Sequence, residues 1–575
     1  MLRGLYILIM TICIVPIAPG IVGVILSSLG YIPAIGLSQV SLNGYLAVFQ
    51  WSGSAQSLGL TVFSTLTSSL LTCLITFAIL QNSWQSTAWK KIENLLSPLL
   101  AMPHVAFAIG FAFLFSPTGM LARLIEPLAQ WLPFISDPSS QSWLIKNAYA
   151  LGLTLVLVIK EVPFLLLMSI PIIQQLNIDQ THKVASSLGY TPAQMWWKCV
   201  LPQWLTKIRF PMMAIIAYSA SVVDVGLIVG PTNPPTFAVL VWQWFSDPDL
   251  SLLPRAGAGA MLLFALTLVL IGFARLVEHL VTSYSRHWQV SGRSGVSFPG
   301  LSLFIGLASI SIMTLPLMLL WSFAQRWRFP DLFPTQLSTR FWMTEWQNVV
   351  PTIVDSTLIA ILAATIALFF AIICHEYREK NRWHVPGIVI AIPMLVPQLS
   401  ILFGIQITTL YFSGDAYFFW VTWSHIFFAF PFVFLALDGP WRSYDPRISQ
   451  AALSLGKTPL HVWLKIKAPI LFPAIMFAWA VGMSVSLAQY LPTLMLGAGR
   501  ISTLTTEAVA LASGYDRRVT AIYAMWQAFL PFIFFSFAVL VSRLHLAKTR
   551  SHHQQPQIVR KPLKHESMHK KPRHI

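Results

Sequence analysis

The sequence predicts an all-α polytopic membrane protein of about twelve transmembrane helices in two tandem six-helix repeats, and three observations carry that prediction. Of the 575 residues, 56% are hydrophobic and only 10% charged, against roughly 25% charged in an average soluble domain. The apolar residues gather into twelve runs, each near the roughly 20 residues that a bilayer core about 30 Å thick requires. The chain also repeats itself at an offset of 267 residues. An ordinary cytosolic enzyme is excluded by the first observation. Extensive disorder is excluded too, because 22 Trp and 38 Phe drive such a chain to collapse or into a bilayer.

Taken in order, the runs of the first half cover about 5–26, 58–80, 96–115, 148–172, 209–230 and 256–275. Those of the second cover about 299–321, 350–374, 385–407, 418–438, 470–496 and 519–542. The first run follows Arg3, exceeds the roughly 7–15-residue core of a signal peptide and has no A-x-A cleavage site after it, so it is read as a retained helix. Lys and Arg favour the cytoplasmic side of short loops. With the N-terminus inside, 27 of the 37 fall on the inner side and nine on the outer: Arg123, Lys146, Arg255, Arg326, Arg328, Arg340, Arg500, Arg517 and Arg518. Lys160 is left within a span. Both termini are therefore expected in the cytoplasm of a bacterium, with the spans in its inner membrane.

A net charge of +17 would suggest nucleic acid as partner in a soluble protein, but here it marks the cytoplasmic side. Nine of the cations, from Arg543 onward, lie in a tail opposed by Glu566 alone, and its expected neighbour is anionic lipid rather than nucleic acid. The tail's His552, His553, His565, His569 and His574 lack the spacing of a metal site. Cys13, Cys73, Cys199 and Cys374 show no CxxC spacing and are read as small buried hydrophobes.

The repeat is ungapped from Ala185 to Thr236. Ala185, Ser187, Leu188, Gly189, Thr191, Pro192, Trp196, Lys198 and Pro202 recur as Ala452, Ser454, Leu455, Gly456, Thr458, Pro459, Trp463, Lys465 and Pro469. Upstream, Pro163-Phe164 matches Pro431-Phe432, and Pro103 to Gly110 has the spacing of Pro397 to Gly404. Six spans per half put both copies in the same orientation. This predicts domains at 1–285 and 286–545, coupling loops at 173–208 and 439–469, and a disordered tail at 546–575.

Each loop carries its own helix signals. Thr191-Pro192 and Thr458-Pro459 place an N-cap before a proline at the first helical position, and Gln194 completes a capping box with Thr191. Gly189 and Gly456 suit the closing of the preceding helix. The pattern is helix, glycine turn, short helix, proline. An interfacial helix resting on lipid fits one copy, whereas partner docking also accounts for the same spacing occurring twice on one face.

At these residues the sequence resembles the cytoplasmic "EAA" loop of binding-protein-dependent ABC importer permeases of the MetI-like fold. Duplicated on one chain, it is similar to the fused permeases of the thiamine and ferric-iron branch. The stretches Ser221 to Val225, Gly230 to Thr236, Gly497 to Arg500 and Thr503 to Ala510 resemble its YnjC-type group. The resemblance implies that Ala185, Gly189, Thr191, Pro192, Trp196, Lys198, Pro202 and their second copies couple to an ATPase, expected to be a homodimer that binds ATP and Mg. It also implies a periplasmic solute-binding protein as the source of substrate. The family's glutamate is Lys183 in one copy and Gln450 in the other, so no acidic contact carries over.

No G-x-x-x-x-G-K-[ST], HExxH or G-x-S-x-G occurs, so no catalytic residue, metal site or cofactor is assigned to this polypeptide. The glycines of Arg255-Ala-Gly-Ala-Gly-Ala260 suit close helix packing. Ionisable residues within spans are expensive and mark function by default. Lys160 and Glu161, opposite Phe428 and Ala429 in the repeat, either fix packing or line a pathway. Asp224, opposite Leu491, is the stronger pathway candidate and fits a cationic solute. Asn233, Gln489 and Arg500, in or beside the irregular segments near the outer side, complete the candidate pathway. The competing class is a secondary transporter of two six-helix halves driven by ion gradients, which gives no reason for a docking helix repeated per half.

Overall fold

The computed structural model describes residues 2–129, 143–292, 295–381, 383–412, 415–514 and 516–553. Of the tail predicted as disordered at 546–575, residues 546–553 instead continue the last helix, Arg517–His553, and the part from 554 on, with His565, His569 and His574, lies outside the described residues. The fold is all-α. Among the described residues there is one hairpin, Ala324–Arg326 against Gln336–Leu337, antiparallel and joining the seventh and eighth spans. Among the described residues, ten helices are long and apolar enough to cross a membrane. The other two predicted runs are broken: the fifth into Arg209–Ser221 and Asp224–Val229, the ninth into Gly387–Ile390, Ile392–Leu395 and Gln398–Thr409.

The breaks have different origins. In the ninth span Pro393 and Pro397 each remove a backbone donor and restrict the residue before them; one helical piece starts at Ile392 with Pro393 in its first turn, and the next starts after Pro397. Pro103 does the same in the third span, between Thr87–Ala101 and His104–Phe115. The fifth span breaks without a proline at the break. Its backbone turns extended at Val222 and becomes helical again at Asp224. The eleventh span breaks in the same register, extended at Gln489 and helical again at Leu491. A membrane tolerates such unpaired backbone only where it faces protein or a cavity.

Each half lends its first span to the other. The first span, Leu2–Cys13 and Ile17–Ser28 about a kink at Pro16, packs on the eighth, ninth and tenth spans. The seventh, Gly300–Phe323, packs on the second and third. Both crossings rest on a glycine of a broken span. A Cβ at Gly404 would strike the Gly20 carbonyl, and one at Gly110 would strike Thr314. Small residues permit this approach, and close packing is what holds helices together where no water is available to be displaced. The sixth span joins the first through Gly257, which faces Ser27 and Ser28, with Ala256, Ala258 and Ala260 fully buried beside it. One apolar core consequently runs through both halves.

Candidate translocation cavity and coupling loops

Between the halves lies a cavity of about 280 Å³, lined by the third to fifth spans of one half and the ninth to eleventh of the other. Equivalent repeat positions face each other across it: Lys160 and Phe428, Phe164 and Phe432, Asp224 and Leu491, Val222 and Gln489. The backbone plan is shared and the chemistry is not, since the acidic and basic side chains His104, Lys160, Glu161 and Asp224 come from the first half, with Tyr218 beside them. The second supplies mainly Phe428, Phe432, Val485 and Leu491, with Gln398, Gln489 and Tyr490 as its polar groups.

Lys160 is buried, and its Nζ donates to the carbonyls of Leu99 and Met102 at 2.9 and 2.7 Å, beside the Phe107 ring. Those carbonyls flank the third-span break, so this ammonium satisfies backbone that the break leaves unpaired. Glu161 lies 3.5 Å from His104 Nε2, and the His104 ring sits 4.9 Å from that of Tyr218. Asp224 Oδ1 accepts from its neighbour's N–H, Val225 N, at 2.9 Å. Two carboxylates therefore face a single ammonium already held by two carbonyls. Across the cavity Gln489 is 6% exposed; its Nε2 donates to the His425 carbonyl, while its Oε1 has no hydrogen-bond partner among the described residues. His425 is itself fixed by the hydroxyls of Ser486 and Thr493 at 2.8 and 2.9 Å.

Of the predicted pathway residues, Lys160, Glu161, Asp224 and Gln489 are brought together. Asn233 and Arg500 are not: both are exposed on turns away from the cavity, and Arg500 lies over the Tyr417 ring. The physical reason is the helices Asp224–Val229 and Leu491–Gly497, which carry those turns beyond the break that opens on the cavity. Sequence reasoning missed His104, Tyr218, Gln398 and Tyr490. His104 and Gln398 could have been found, because each follows the proline that aligns the two halves.

The two loops share one build on one face. A helix, Ile178–Ser187 or Pro446–Ser454, ends before a glycine in the left-handed region, Gly189 at φ 76° or Gly456 at φ 79°. The capping box at Thr191 and Gln194 is formed, and Thr458 caps His461 N alike. Both short helices then widen into one turn of π-helix, Trp196–Val200 and Trp463–Lys467. Trp196 and Lys198, expected among the residues that couple to an ATPase, are both buried. Trp196 packs edge-on against Phe77, and Lys198 Nζ donates to the carbonyls of Ser291 and Gly292 in the segment joining the halves. Ala185 and Ala452 also face inward, whereas Val184, Leu188, Leu453, Leu455, Leu460 and Leu464 are exposed.

The buried anchors differ between copies. In the second, Lys467 pairs with Glu376 and Glu379 of the eighth span, under the rings of Trp441 and Tyr444, and Trp463 Nε1 donates to Glu376. In the first, carbonyls replace the carboxylates.

Duplicated loops on one face and a cavity between two like halves define a polytopic transport subunit. The comparisons with known proteins agree. The chain is 30% identical over 515 residues, 88% of its length and 91% of the relative's, to the inner membrane ABC transporter permease protein YnjC of Escherichia coli K12. Similarity to the thiamine transport system permease protein ThiP of Haemophilus influenzae is 20% identity over 84% of this chain and 87% of that one. To the spermidine/putrescine permease protein PotC of Escherichia coli K12 it is 29%, over 23% of this chain and 51% of that one. No protein-family model matches the chain. The chain belongs to the ABC transporter permeases, which sets the secondary-transporter reading aside.

Proposed function

We propose that this chain forms both transmembrane halves of an ABC importer, residues 1–285 and 286–545, with its termini and the two loops in the cytoplasm. The single observation that carries the reading is the pair of loops with matching glycine turns and exposed leucines on one face. Contiguous exposed apolar side chains mark an interaction surface, and two equivalent patches suit the two subunits of an ATPase homodimer that binds ATP and Mg. Gly189, Thr191, Pro192, Gly456, Thr458, Pro459 and Lys465 are exposed or adjoin the exposed turns and meet the ATPase. Trp196, Lys198 and Trp463 hold the loops to the spans, and Pro202 and Pro469 sit where each loop leads into its next span.

The cavity is the solute pathway, with Asp224 and Glu161 as its anionic groups. The residual negative charge, the aromatic rings of Tyr218, Tyr490, Phe428 and Phe432, and the free acceptor of Gln489 favour a small organic cation. The thiamine and spermidine/putrescine named for two relatives are cations of that kind. A binding protein on the far side delivers the solute, and hydrolysis on the partner drives its release inward.

Reconstitution in vesicles with the co-purifying ATPase and binding protein tests this. Uptake should require ATP, be blocked by vanadate and survive an ionophore. Uptake that proceeds without the ATPase and collapses with the ion gradient would defeat the reading.

A further inference from the structure

On the face opposite the loops, the outer ends of the third, seventh and twelfth spans enclose a second cavity, of about 370 Å³. It is lined by Arg123, Arg517 and Arg518 together with Trp321, Trp327 and Phe329. Arg518 is neutralised by Asp516, at 2.9 and 3.0 Å in a two-pronged pair. Arg123 and Arg517 have no carboxylate within 4 Å among the described residues. Both donate instead to one neutral oxygen, the Thr118 carbonyl, at 3.1 and 3.3 Å. Arg123 also donates to the carbonyls of Arg328 and Asp331, and Arg517 to the hydroxyls of Ser116 and Thr118. Arg123 is 3% exposed, and no described residue accepts from its Nη2.

Two guanidiniums drawn to one carbonyl repel each other, and burial of a guanidinium that no carboxylate touches is costly, Asp331 acting on Arg123 only from a distance. The fold does not demand the arrangement. At the corresponding corner of the other half, where the Ile32 to Leu37 bridge takes the hairpin's place, Arg255 lies over Trp244, and among the described residues no second arginine is stacked on that ring. The concentration is also uneven: Arg123, Arg326, Arg328, Arg340, Arg517 and Arg518, six of the nine cations expected on this face, lie on the segments around this one cavity.

We propose that this cavity binds the phosphate of an anionic phospholipid headgroup. Paired guanidiniums match phosphate oxygens. The depth is that of a membrane boundary. Trp321 lies in the last turn of the seventh span, and the helix Met120–Ala129 turns Arg123 inward while exposing Leu121 and Leu124, as an interfacial helix does. The aromatic faces under Arg123 and Arg517, at 4.9 Å for Trp327 and 5.2 Å for Trp321, keep both cations in place for the anion.

The test is retention of phosphatidylglycerol by the detergent-purified full chain, measured by native mass spectrometry. R123Q/R517Q should weaken retention on the order of tenfold, and R255Q should leave it unchanged. Soluble glycerol phosphate should fail to displace the lipid. Should R123Q/R517Q not be recovered folded, R123K/R517K is read instead, and a severalfold loss is expected because lysine lacks the fork. Retention equal to wild type in whichever variant is read overturns the proposal, as does equal loss in R255Q. Displacement by glycerol phosphate would make it a free-anion site and overturn the lipid assignment. Intact lipid retention with lost stimulation by the binding protein would assign the arginines to a partner's carboxylate instead.

Discussion

At the same place in its repeat the first half carries Asp224 and the second Leu491, and on the preceding span the first carries Lys160 where the second has Phe428. All four face one cavity. The helices that hold Asp224 and Leu491 break and restart at the same residue of the repeat, so the difference lies in the side chains alone. Duplication preserved the opening in the backbone, and later substitution divided the wall into a charged side and an apolar one. The coupling loops follow the same rule, with matching turns and different buried anchors. On the proposed function, what must be equal in both halves is the geometry presented to a symmetric partner. What can differ is what faces the solute or the interior.

Gly189→Leu and Gly456→Leu test that equality most severely. A non-glycine residue in the left-handed region costs about 1–2 kcal/mol, and each side chain would protrude at the docking face. Near-complete loss of vesicle uptake is expected in both, with normal membrane insertion. Normal uptake in either would show that the halves do not dock alike.

The division of the cavity is tested by Asp224→Asn against Leu491→Asn. Removing the charge that faces the solute should raise apparent KM for uptake roughly tenfold to a hundredfold, from about 1.5–3 kcal/mol of charge-assisted interaction. Leu491→Asn should shift it severalfold at most; equal effects would erase the distinction between the two walls. The loop anchors come next. Lys467→Met removes the buried cation that Glu376 and Glu379 share, leaving Glu376 only Trp463 and the exposed Lys380, and should lower thermal stability by about 3 kcal/mol, whereas Lys198→Met frees only carbonyls and should cost about 1 kcal/mol. Melting curves that do not separate the two would remove the difference in anchoring. The smallest effect belongs to Asn233→Ala and Arg500→Ala. Both lie outside the cavity, and uptake should stay close to wild type.

Much of the loop geometry was legible because its determinants are local. A threonine before proline and a glycine at a helix end fix caps and turns within a few residues, and Gly189, Gly456, Thr191 and Thr458 all adopt the expected roles. The proline breaks at Pro103 and Pro397 were in view as repeat markers. The break at Val222 was not, because two valines carry no local signal and the extended backbone is set by neighbours across the cavity. The inward turn of Trp196 and Lys198 was hidden for the same reason. Their partners, Phe77 and the carbonyls of Ser291 and Gly292, lie about a hundred residues away on either side. Lys160 both lines the cavity and closes the third-span break, so a packing role does not exclude a place on the proposed pathway.

The exchange of first spans sets a timetable for biogenesis. The glycine face of Ile17–Ser28 finds Gln398–Thr409 only after a further 370 residues or so have been made, which at about 5–20 residues per second takes roughly 20–75 s. During that interval the N-terminal helix stands with Gly20 and Gly23 uncovered, held only at its Ser27 and Ser28 end by Gly257 of the sixth span. A chain that stops before Gly404 would keep that one attachment and leave the glycine face of its first helix open to lipid.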